Sequence, residues 1–203
     1  MKRILFFTLA ALLTLSVKAQ SVDKKQKTIT VSGSSVIKRE LVTYKAKVTL
    51  NMDQAYYSNP ECKTLDELKD MYLEKVRKNG LDTSKFKENK LEFMTYGYQK
   101  DGTVLSYESA TKEDIETLSA IKMAGVTYAY SFKFEMTEAQ RKTFLESALK
   151  EAEENAKRVC EASGQTIGEI ISISETSPML SIWKNYHQDY PEYTSVNVAY
   201  ELK

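Results

Sequence analysis

Scarcity decides the first questions about this chain of 203 residues. Three Pro and seven Gly are too few for a collagen-like repeat or a Pro/Gly-rich disordered chain. One His and two Cys leave no zinc spacing, because a structural site needs four His or Cys ligands. The lone histidine, His187, has no Gly-x-Ser-x-Gly elbow to serve, and Asp189 is too near in sequence to orient it as a triad base. His187, Asp189 and Glu192 form the one grouping that can be weighed for a metal, and none is expected to bind there. No Gly-rich loop joins a strand to a helix, so no phosphate cradle and no cofactor are expected. The adjacent carboxylates Asp66/Glu67 and Glu153/Glu154 point apart on helix surfaces, unlike a glycosidase pair.

One long apolar run is present, and it stands at the start. Met1-Lys2-Arg3 precedes apolar Ile4–Val17, and Val17-Lys18-Ala19 supplies a cleavage site before Gln20. Its 14 residues fall short of the roughly 20 that span a bilayer as a helix. Residues 1–19 are therefore predicted to be a signal peptide cut between Ala19 and Gln20, leaving residues 20–203 as one domain, periplasmic or secreted. No later stretch is apolar enough to cross a membrane as a helix. Loss of Lys2, Arg3 and Lys18 leaves 26 (29 − 3) basic residues against 28 acidic, a net charge of −2. That balance argues against nucleic acid, which selects a basic stripe.

Period-two alternation marks strands at Val42–Met52, Val126–Met136 and Val196–Leu202. Shorter β-rich runs fall at Thr28–Ile37, Leu91–Tyr98, Thr103–Ser109 and Gly168–Ser174, and Asp101-Gly102 reads as a hairpin turn. Three helices are punctuated alike. Thr64/Glu67, Thr111/Asp114 and Thr137/Gln140 are spaced as capping boxes, and Gly80, Gly125 and Gly164 follow as stops. Leu68, Met71, Tyr72 and Val76 form the apolar face of the first, and Ile115, Leu118 and Ile121 that of the second. Leu145, Ala148, Leu149, Ala152, Ala156 and Val159 form that of the third, with Glu146–Lys150, Glu153–Lys157 and Glu154–Arg158 pairs on its solvent side. The order ββαββαβαββ predicts an α+β fold, a mostly antiparallel sheet of about seven strands with three helices on one face.

Several segments resemble the SIMPL domain family of bacterial periplasms. They are Ile29-Thr30-Val31-Ser32-Gly33, Met123-Ala124-Gly125-Val126 with Phe132-Lys133-Phe134, and the Ala148…Ala152…Ala156 helix leading through Ser163-Gly164 to Ile167-Gly168-Glu169-Ile170. The closing Ser195–Leu202 is similar to the family's last strand. Ser34–Glu40 departs from the family's second Gly and Pro-Asp pair. The resemblance implies an exported envelope protein tied to envelope and oxidative stress, with oligomeric assembly in some members and no catalytic residues.

Two features remain. If successive elements alternate in direction, Cys62 and Cys160 fall at one end of the fold. A disulfide there would close about 97 residues, worth on the order of 4 kcal/mol. The alternative makes Cys160 a small core residue one turn after Ala156. The segment Glu175–Thr194 is rich in aromatics, with Trp183, Tyr186, Tyr190 and Tyr193. It is either an interaction loop or a cover for one end of the core. The function expected is that of a non-enzymatic envelope protein acting by self-association, as a homo-oligomer, or by binding an envelope protein partner. The competing reading is a small exported hydrolase or thiol-redox protein using His187 or Cys62/Cys160.

Overall fold

The computed structural model describes residues 27–58, 62–98, 100–185 and 190–203. The leader with Ala19 and Gln20, and residues Tyr186, His187 and Asp189, lie outside the described residues. Among those described, the strands are β1 (Thr28–Ile37), β2 (Glu40–Asn51), β3 (Lys87–Asn89), β4 (Gly102–Ser109), β5 (Val126–Glu135), β6 (Ile167–Glu175), β7 (Ser181–Lys184) and β8 (Glu192–Leu202). The helices are α1 (Met52–Ser58), α2 (Leu65–Lys78), α3 (Lys90–Met94), α4 (Lys112–Ala120) and α5 (Glu138–Ser163).

The α+β class holds, but the strands are shared between two sheets. One has the order β1-β8-β6 and the other β3-β4-β2-β5-β7. The chain divides into two compact units. The smaller takes in residues up to Ser35, Leu145–Thr176 and Ser195–Lys203; the larger takes in Val36–Phe144 and Ser177–Thr194.

In the larger unit, alternation sets the faces of the sheet. Ala46, Val48 and Leu50 of β2 pair with Tyr107, Leu105 and Thr103 of β4 on one side and with Tyr130, Tyr128 and Val126 of β5 on the other. Directly paired residues share a face, so these side chains form one continuous surface. Leu68, Tyr72 and Val76 of α2 and Ile115 and Leu118 of α4 belong to the same core cluster. Thr64 and Glu67 complete the predicted capping box on α2.

The smaller unit packs the alanine seam of α5 against its sheet. Ala148, Ala152 and Ala156 cluster with Val196, Val198 and Tyr200 of β8 and with Ile29 and Val31 of β1. Short side chains let helix and strand backbones approach closely, and Gly33 on β1 extends that approach. Val159, placed on the buried stripe by sequence, is instead about half exposed, and Cys160 takes the inward position. The Thr137/Gln140 box at the start of α5 forms as expected: the Gln140 amide donates to Thr137 Oγ1, and Thr137 N donates to Gln140 Oε1.

Five local expectations are corrected. Leu91–Tyr98 is not a strand: Asn89 Oδ1 accepts from the Glu92 amide and starts the short helix α3. Asp101-Gly102 is not a hairpin turn, because Gly102 already belongs to β4 and lies against the Phe93 ring. The Thr111 cap makes no side-chain bond to the helix. Asp114 accepts instead from Tyr107 OH and Ser109 Oγ, and Ser109 Oγ lies 3.1 Å from Thr111 Oγ1. That helix also stops at Ala120, well before Gly125. On α5, Glu153 pairs with Lys157 at 2.6 Å, whereas Arg158 turns to Asn155.

Candidate functional site

The aromatic segment before β8 contains a strand. Ser181-Ile182-Trp183-Lys184 forms β7 and extends the five-stranded sheet along β5, pairing Trp183 with Lys133 and Lys184 with Phe132. This register sends Trp183 to the polar face of the sheet and Lys184 to the apolar one. Four residues give too little alternation to be read as a strand from sequence.

On the polar face, Trp183 borders a groove of about 580 Å³ that also involves Lys45, Lys47, Tyr96, Ala129 and Ser131. Lys45 Nζ lies 5.3 Å from the Trp183 ring centre and 2.9 Å from Glu108 Oε1. Lys47 Nζ lies 2.5 Å from Glu92 Oε1, which also accepts from Tyr96 OH at 3.1 Å. The Lys47 hydrogen bond, above the other contacts, holds the Glu92 carboxyl below its ordinary range. Burial, reinforced by the Glu92 bond, raises Tyr96. The two lysines on the floor are thus matched by two glutamates; Lys45 of one pair holds Trp183 and Glu92 of the other holds Tyr96.

On the apolar face, Arg39, Phe134, Lys184, Tyr190 and Glu192 line a cleft of about 490 Å³. The Arg39 side chain is only 4 % exposed. It donates to Glu192 and, at 2.7 Å, to the Met179 carbonyl. Lys184 approaches the same carboxylate at 3.7 Å and sits over the Phe134 ring. Glu192, weighed above beside His187 and Asp189 for a metal, is therefore engaged with two cations. Among the described residues no group of three His, Cys, Asp or Glu side chains is placed to hold a metal ion. Of the predicted interaction residues, Trp183, Tyr190 and Tyr193 are exposed.

Sequence reasoning missed a second aromatic surface. Tyr56 and Tyr57 of α1 both lie under Lys100 Nζ, which is 3.6 Å from the Tyr56 ring centre. Tyr98 stacks on Phe93 at 5.2 Å. The signal was present in the Tyr56-Tyr57 and Tyr96/Tyr98 pairs; the expected strand Leu91–Tyr98 absorbed the second, and the first fell between expected elements.

Cys62 and Cys160 are both free thiols and both buried, one in each unit. Cys62 belongs to the larger unit's core, with Sγ 3.7 Å from the Thr64 carbonyl. Burial, and secondarily the charge of Glu67, pushes its thiol up. Cys160 occupies the small core position that its spacing after Ala156 allows.

No curated protein matches the chain. The family model for SIMPL, described as protein of unknown function (DUF541), matches residues 9–201, nearly the whole length. The alanine-seamed α5, its exit into β6 and the closing β8 thus belong with the rest of the fold to one pattern, and the chain belongs to the SIMPL family.

Proposed function

We propose that this is an exported, non-enzymatic envelope protein that works by self-association through the open edge of its three-stranded sheet. The carrying observation is β6. It pairs with β8 on one side only, leaving its outer backbone edge without a strand neighbour among the described residues. Ile170 and Ile173 pair with Tyr200 and Val198, so they lie on the face that α5 covers over β8. They nevertheless remain 53 % and 50 % exposed. A nine-residue edge strand with an uncovered apolar face invites pairing with another strand. Export rests on the Met1–Gln20 leader pattern, and the link to envelope and oxidative stress rests on the family resemblance.

The test is the solution mass of the mature chain and of a variant carrying Ile170→Lys and Ile173→Lys. A native oligomer that becomes a folded monomer in the variant is the expected result. A monomeric native chain at ~100 μM, well above the ~1 μM range of a −8 kcal/mol association, removes the reading.

A further inference from the structure

We infer that the groove on the polar face of the five-stranded sheet is a binding site for an uncharged oligosaccharide. Charge selects the ligand class. Each lysine on the groove floor already has a carboxylate: Lys45 has Glu108 at 2.9 Å and Lys47 has Glu92 at 2.5 Å. No net positive charge is left over to draw a phosphate, a nucleic acid or an anionic headgroup. What the lining does offer is the ammonium donors of Lys45 and Lys47, the Ser131 hydroxyl and the Asn185 amide, suited to hydroxyl groups that donate and accept.

The walls supply the second half of the match. Trp183 is 43 % exposed and Tyr96 is 44 % exposed. Neither ring is loose, since Lys45 sits over Trp183 and Tyr96 OH is tied to Glu92. Exposed aromatic rings held by polar contacts are preorganised, so little side-chain entropy is lost on binding. Ala129 and Ser131 keep the floor between the rings low. A pyranose presents an apolar C–H face for an aromatic ring and a rim of hydroxyls for Lys45, Lys47, Ser131 and Asn185, which is the combination this groove provides. Its volume of about 580 Å³ falls within the range of about 300–1,000 Å³ typical of small-ligand sites.

The test exploits Trp183, the one tryptophan of the chain. The mature protein is titrated with the N-acetylglucosamine tetramer and with maltotetraose while tryptophan emission is followed. A saturable change with either sugar is expected, with a Kd of about 1 mM for so open a site. It should persist at about 1 M salt, where the screening length is about 3 Å. Tyr96→Ala should weaken binding at least ~10-fold with the fold intact, the loss of about 1.4 kcal/mol. Calorimetry on Trp183→Ala gives the same decision without the reporter. No saturable response to either sugar, full binding in both variants, or a response to inorganic phosphate that salt abolishes would each overturn the assignment.

Discussion

Gly33 of β1 faces the backbone of α5 with no room for a side chain: a Cβ on it would overlap the carbonyl oxygen of Ala148 and the amide of Ala152. Its neighbours hold it there. Asn155 Nδ2 donates to the Ser32 carbonyl at 2.7 Å, and the Ser34 amide donates to Glu151 at 2.5 Å. The obstacle is main chain, which cannot rotate away. Gly33→Ala is therefore expected to destabilise the protein by about 3 kcal/mol, lowering Tm by roughly 6–12 °C. Scanning calorimetry checks this. An unchanged Tm would mean that α5 can lift from β1 at little cost.

The same contact shows what a sequence can and cannot reveal. Spacing alone exposes the alanine seam and the caps at Thr64 and Thr137, because each depends on residues within a few positions of one another. Thr111 has the same spacing and fails. Asp114 is drawn off by Tyr107 OH and Ser109 Oγ on β4, seven and five residues back across the turn into the helix, a competition that the cap spacing alone does not display. Leu91–Tyr98 has β-rich composition, yet Asn89 with Glu92 at the right interval starts a helix instead, and that signal was legible. The groove was not. Lys45, Lys47, Tyr96 and Trp183 come from three distant stretches; the β2–β5–β7 pairing brings Trp183 to the lysines, and Glu92, bonded to both Lys47 and Tyr96, brings in Tyr96.

Glu151 gives a pH prediction with a definite sign. Its carboxylate accepts first from the Ser34 amide and then from the Ser34 hydroxyl, and these bonds hold its pKa below the ordinary value. A folded-state pKa below the unfolded one stabilises at pH values above about 4.3. That contribution is lost as pH falls through the folded value. Glu151→Gln should thus lower Tm at neutral pH and converge on the parent in acid. Thermal melts of both proteins from about pH 7 to about pH 3 decide it, and parallel curves would refute the assignment.

Arg39 is expected to hold the segment before β8 in place. Removing it leaves the Met179 carbonyl without that donor and Glu192 with only Lys184 at 3.7 Å. Arg39→Ala should cost about 2 kcal/mol, less than a fully buried pair because Glu192 is partly solvated. Arg39→Lys should recover only part of this, since one ammonium on a flexible stem cannot reproduce the fork that reaches both partners. Urea unfolding gives the magnitudes. Limited proteolysis should show faster cleavage between Met179 and Glu192 in both variants, and equal cleavage rates would dismiss the anchoring role.

The thiols provide a chemical check on the interior. Cys62 is buried beside the start of α2, and burial, then the Glu67 charge, raises its pKa. The thiolate is the reactive form, so native-state alkylation at about pH 8 should be much slower than for an exposed thiol near pKa 8.5. A raised folded-state pKa also stabilises below the unfolded value, and that stability drains away as pH climbs through the folded one. Cys62→Ala should therefore flatten the fall of Tm as pH rises above about 8.5, the unfolded thiol's value. Counting thiols in denaturant without reductant tests the other side of the claim. Two reactive thiols per chain are expected from two buried free cysteines. None would mean that Cys62 and Cys160 are joined, and the alkaline behaviour of Tm would then lose its proposed source.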